Sequence, residues 1–216
     1  MLRASVVHPP RIAAWLIDLF TPYEQAESIP GDLLEEFSEL ATKAGVPSAS
    51  HWYWRQSVKT IAQLIGSAFR VAPQQLLAAV LVGFLLLRLG IRVPGAVVIA
   101  VLRAQRPYST AHYESYVLWI TYGFDVVRLI LSISVGCIVA VVAKGREIVA
   151  AMTLGLVSGA LYAASSVVWI TGHGLDQNRF LLPLLFISLS GLIASVCGAL
   201  IVRTSRSAIL RHRSRA

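Results

Sequence analysis

Four stretches of this chain are each about 20 residues long and mostly apolar, a length and oiliness that match the hydrocarbon core of a bilayer. The first begins near Pro73 and continues through LLAAVLVGFLLL toward Val101. The second runs from Tyr116 to Ala143, the third from Ile148 to Ile170 and the fourth from Phe180 to Val202. With 56% hydrophobic residues, the chain is too oily for a soluble fold with a wetted surface. The expected fold class is all-α: a small helical amino-terminal module, residues 1–70, followed by a four-helix transmembrane bundle, residues 71–203, and a basic tail, residues 204–216. Arg88, Arg92 and Pro94 interrupt the first run. Residues 73–103 are therefore either one tilted, kinked helix or a span followed by an interfacial piece, and a single crossing is favoured.

Charge divides the chain at the same boundary. Residues 1–70 hold six of the 19 Lys and Arg and seven of the 11 Asp and Glu, a net of −1, so the remainder nets +9. Nucleic-acid binding needs a basic head to neutralise phosphates, and this head is slightly acidic, so no nucleic-acid partner is expected. No signal peptide is visible before Pro9-Pro10. Lys144 and Arg146 in the short KGRE link, and Arg203, Arg206, Arg211, Arg213 and Arg215 in the tail, are placed on the cytosolic side by the positive-inside rule. Four spans then leave both termini cytosolic, with Arg103 and Arg106 in the first outer loop as the opposing signal.

Within the head, RIAAWLIDLF carries Ile12, Trp15, Leu16, Leu19 and Phe20 at helical spacing, with Pro10 suited to the first turn. Thr21, Pro22 and Glu24 read as the capping box of a short second helix ending near Pro30. Asp32 and Glu35 read as a second capping pair. Behind it Leu33, Phe37, Leu40 and Ala44 form one face, Glu35, Glu36 and Glu39 the opposite one, and Gly45 the stop. After a VPSAS loop, HWYWRQSVKTIAQLIGSAFR is expected as a longer helix with Trp54, Val58, Ile61, Ile65 and Ala68 on one side. Indoles and cations at its start suit the headgroup layer of a membrane.

Taken in order, PPRIAAWLIDLF, GDLLEEF and WYWRQ resemble the permease prefix domain, type 2, the module at the amino end of macrolide-exporter-like ABC permeases, chiefly of acidobacterial-type genomes. The resemblance covers about Pro9 to Arg70. It implies a cytosolic helical module attached to a membrane transporter, without catalytic residues. After Arg70 no polar stretch is long enough for the large extracytoplasmic domain of those permeases, so the chain resembles a stand-alone prefix domain on a short multi-span tail.

The remaining candidate site lies in the membrane half. Asp125 and Arg128, three apart, share a helical face and can pair, and Arg88 is a candidate third member. A charge left exposed in mid-membrane costs about 2.5 to 3.5 kcal/mol on insertion scales, so these residues are expected either to face protein or water as part of an ion or substrate path, or to sit near the interface with Trp119 and Tyr122. Small residues recur every four positions at Ser132, Gly136 and Ala140, at Ala151, Gly155, Gly159 and Ala163, and at Gly191, Ser195 and Ala199, a pattern for close helix packing or self-association into a homo-oligomer. The histidines are scattered, Cys137 and Cys197 read as packing residues, and no zinc or phosphate-loop signature occurs, so neither an enzyme nor a metal or other cofactor is expected. The expected function is that of an accessory or regulatory subunit in the bacterial inner membrane. Asp32, Glu36, Trp52, Trp54 and Arg55 would serve partner docking or head packing, and the partner would be an ABC permease or its ATPase. The competing expectation is a small transporter or channel using Asp125 and Arg128.

Overall fold

The computed structural model describes residues 8–22, 25–104, 123–172 and 178–213. Among them every regular element is a helix: α1 (Arg11–Phe20), α2 (Ser28–Ala44), α3 (Val46–Val71), α4 (Pro73–Ala104), α5 (Phe124–Val142), α6 (Glu147–Gly172) and α7 (Asn178–Arg213). Two compact units result, Met1–Pro73 and Gln74–Ala216. Glu24 of the expected capping box, most of the loop from Arg103 to Ser115, the start of the second expected span with Trp119 and Tyr122, and His173 lie outside the described residues.

The head is built from one apolar pair four residues apart on each of its helices: Ala13 and Ile17, Leu33 and Phe37, Ala49 and Tyr53. Residues at that spacing stack on one helical face. Alanines at 13 and 49 let the backbones close in, and the Phe37 and Tyr53 rings meet edge to face, 5.7 Å between centroids and 82° between planes. Full burial of a side chain such as Phe37 or Ile17 contributes about 1.5 to 3 kcal/mol. Helix α1 stops at Thr21, whose N–H and hydroxyl both donate to the Ile17 carbonyl, at 2.9 and 2.7 Å.

Three expectations for the head are corrected. Pro30 does not end a helix; it lies in the first turn of α2, where N–H groups have no intrahelical partner and proline sacrifices no bond. Asp32 is consequently inside α2 and exposed, and makes no cap. The expected VPSAS loop is helical, because Gly45 alone turns the chain at φ 85° and Pro47 is set for the first turn of α3. The buried faces of α1 and α3 match the expected ones only in part: Leu19 and Ala68 are buried and Ile61 packs partly against the core, as expected. Ile12 and Trp15, however, are 65% and 53% exposed, and Trp54 and Val58 are 38% and 62% exposed, while Ala13, Ile17, Tyr53 and Ser57 take the buried positions. Where large and small apolar residues alternate around a helix, close approach through alanine has won over burial of the larger ring.

In the second unit four helices are long and apolar enough to cross a membrane, with spans Pro73–Arg92, Asp125–Val142, Glu147–Gly172 and Leu182–Arg206. No more than 33% of any apolar window is buried by protein, and Leu182, Phe186 and Leu89 project outward, an arrangement suited to lipid rather than water. Helix α4 continues unbroken past Arg88, Arg92 and Pro94 to Ala104. At 1.5 Å per residue it is about 48 Å long, well beyond a core of about 30 Å. Helix α7 likewise continues through the expected tail to Arg213.

The small-residue stripes are engaged within the chain. A Cβ on Gly136 would collide with the Ser195 carbonyl of α7, and one on Gly198 with the Ile133 carbonyl of α5, so these two backbones touch. Cys137 adds an Sγ contact to the Gly198 carbonyl at 3.3 Å. On α6, Gly155 faces Leu192 and Gly159 faces Ser188. Helix α4 meets α5 and α6 through side chains, with Gly83 against Val139 and Leu154 and Gly90 against Leu131.

Candidate functional site

Two polar clusters mark the bundle, one at an end and one within the apolar length. At the end, Ala143 to Arg146 reverses the chain between α5 and α6, with Gly145 at φ 79° and the Arg146 N–H donating to the Ala143 carbonyl at 2.8 Å. Glu147 follows at the start of α6, where the positive end of the helix dipole favours a carboxylate. Its side chain is only 8% exposed, and its Oε1 accepts from Arg206 Nη1 at 2.7 Å and from the Gly145 N–H at 3.2 Å. Arg206 also donates to the Val141 carbonyl at 3.4 Å. The α5–α6 link and the arginine end of α7 are thus fastened together. Sequence reasoning assigns Arg206 to a topology-setting tail and passes over Glu147; an acidic residue opening a long apolar helix is the available signal.

From that end, Arg128 lies about 21 Å along α5 from Val142, and Ser190 about 24 Å along α7 from Arg206. Arg128 Nη2 donates to Ser190 Oγ at 2.9 Å and lies 3.9 Å from Asp125 Oδ1. The guanidinium is the enclosed partner, 19% exposed, and the carboxylate the open one, 54% exposed. Arg128 Nε is buried without a hydrogen-bond partner. A pocket of about 100 Å³ opens beside it, lined from all four spans by Phe84, Arg88, Arg128, Ser158, Tyr162 and Ser188 among others. The Arg88 guanidinium is held over the Phe84 ring, 5.2 Å from its centroid, a cation–π contact. Asp125 is not in the wall, so the structure unites Arg88 with Arg128 and leaves the carboxylate at the margin. A second cavity of about 300 Å³, between α6 and α7, has Tyr162, Ser165, Ser166, Ile170, Pro183, Leu184 and Ile187 around it and no charged group among the described residues.

In the head, Tyr53 takes the core position and Trp52 packs partly against it. Trp54, Arg55, Asp32 and Glu36 are exposed. None of Asp32, Glu36 and Arg55 forms an ion pair among the described residues. Burial raises the Tyr53 phenol above its ordinary pKa of 10.0. Among the described residues no three His, Cys, Asp or Glu side chains gather as a metal site would require.

Compared with protein-family models, curated proteins and solved structures, the chain gives no match. Its class therefore follows from its own helices: it is a multi-pass membrane protein with a separate helical module.

Proposed function

We propose that this chain is a non-enzymatic accessory or regulatory subunit of the bacterial cytoplasmic membrane, whose head docks a protein partner such as an ABC permease or its ATPase. The observation that supports this reading is the head itself, a compact unit with its own core that nevertheless leaves Ile12, Trp15, Trp54 and Val58 on its surface. Rings left exposed by a small, otherwise packed module suit recognition, where aromatic anchors carry much of the binding energy. Its resemblance to a permease prefix domain points to the same class of partner. Both termini are assigned to the cytosol, supported by the fastening of the Lys144–Arg146 link to the arginine end of α7.

A photo-crosslinking amino acid at position 58 of the full chain, an exposed site one turn along α3 from Trp54, tests docking. Adducts with an ABC permease or its ATPase that disappear in the Trp15→Ala/Trp54→Ala background are expected; adducts with lipid alone would refute docking. Reporter fusions at the two ends should both report the cytosol.

A second reading, a small transporter or channel, is favoured by the arginine-lined pocket within the spans. Loss of flux from proteoliposomes on Asp125→Asn substitution, with folding intact, would support it over docking.

A further inference from the structure

We propose that the pocket between the four spans is a binding site for a single anionic group, a phosphate or carboxylate, carried by a lipid-like molecule or supplied as a free anion. The proposal is independent of the docking role of the head and stands or falls on the second unit alone.

The chemistry begins with Arg128. A guanidinium carries five N–H donors in a planar fork and cannot shed its charge. Here one donor is satisfied by Ser190 at 2.9 Å, the carboxylate of Asp125 stands off at 3.9 Å, and Nε has no acceptor although it is buried. Such a group inside a membrane span calls for an acceptor, and a two-oxygen anion fits the fork better than any uncharged ligand. A second guanidinium, Arg88, lines the same pocket from α4, fixed over Phe84 and without an acidic partner among the described residues. Among the described residues no carboxylate lines the pocket; α6 and α7 contribute Ser158, Tyr162 and Ser188, and the two serine hydroxyls, which donate to the Gly155 and Gly159 carbonyls, would turn to reach an anion.

Size narrows the ligand. About 100 Å³ is far below the 300 to 1,000 Å³ of sites that enclose a drug-sized molecule. The pocket therefore takes a headgroup-sized anion, and any hydrocarbon attached to it must lie outside, along the exposed apolar faces of the spans. Its depth agrees: counting along α5 and α7 puts the Arg128–Ser190 pair about 21 to 24 Å from the Glu147–Arg206 end, in the opposite half of a core of about 30 Å.

The test is native mass spectrometry of the full-length protein in detergent, titrated in separate arms with phosphatidylglycerol, phosphatidylcholine and inorganic phosphate. Wild type is expected to retain phosphatidylglycerol at least tenfold better than phosphatidylcholine if the anion is lipid-borne, or to bind inorganic phosphate if it is free. Either preference should fall at least fivefold in Arg88→Gln and in Arg128→Gln. Arg88 is exposed and, among the described residues, makes no hydrogen bond to another span, so its variant decides the matter even if Arg128→Gln misfolds. Equal retention of both lipids together with no phosphate binding, or an anion preference that survives Arg88→Gln, would overturn the proposal; survival would assign the anion to the basic end instead.

Discussion

At the scale of single residues, Tyr53 and Glu147, both buried and outside the pocket, make opposite demands. Tyr53 is uncharged in the head core, and its raised pKa means that the folded state holds the phenolic proton longer than the unfolded chain does. Its contribution to stability is complete below about pH 10 and is lost as pH rises from the unfolded value through the folded one. Tyr53→Phe should change little at neutral pH but flatten the alkaline fall in stability, and tyrosinate absorbance should lose its latest-titrating component. Glu147, by contrast, is buried as a charge and held by Arg206. Removing the arginine strands the carboxylate, so Arg206→Ala should cost up to about 3 kcal/mol, the low end for a broken buried pair because Arg206 is 34% exposed. Glu147→Gln, which strands the more exposed partner, should cost less. Thermal melting in one detergent would rank the two.

At the scale of helices, glycine has two meanings that the same substitution separates. Gly136 lies against the backbone of α7, and alanine there forces α5 and α7 apart, an overpacking cost of about 1 to 3 kcal/mol. Gly31 lies within α2 with nothing within 4 Å of the place a methyl would occupy, so Gly31→Ala should stabilise the head by about 0.5 to 1 kcal/mol. Opposite shifts in melting temperature are expected, and a loss in both would contradict this assignment of contacts. Phe37→Ala should cost about 3 to 5 kcal/mol by emptying the head core, seen as loss of amide protection in α2 and α3.

At the scale of the whole molecule, the spans were legible because length and oiliness are properties of a run of sequence. The third is the clearest case, expected from Ile148 to Ile170 and observed from Glu147 to Gly172. The inward face was legible for α2, where Leu33 and Phe37 are buried as expected, and only partly for α1 and α3, where Ala13 and Tyr53 are buried but Trp15 and Trp54 are not; apolar residues lie on more than one side of those two helices, and only the partner helix decides which side is covered. Helix limits failed where proline was read as a stop, since Pro30 is tolerated in a first turn. Of the intramembrane candidates, Arg88 and Arg128 could be singled out as charges in oily runs, but their meeting across α4 and α5 depends on packing that spacing does not encode. Glu147–Arg206 joins positions 59 apart, beyond the reach of any local pattern.

The reciprocal seating of Gly136 and Gly198 on opposing carbonyls leaves α5 and α7 no room to slide past one another. A piston stroke or a twist between them would have to lift one main chain over the other. At Gly83 and Gly90, helix α4 meets its neighbours through the tips of branched side chains, contacts that can be re-formed at another rotamer. If this bundle changes shape at work, the stationary frame is the glycine-locked pair, and the swinging door is the helix that brings Arg88.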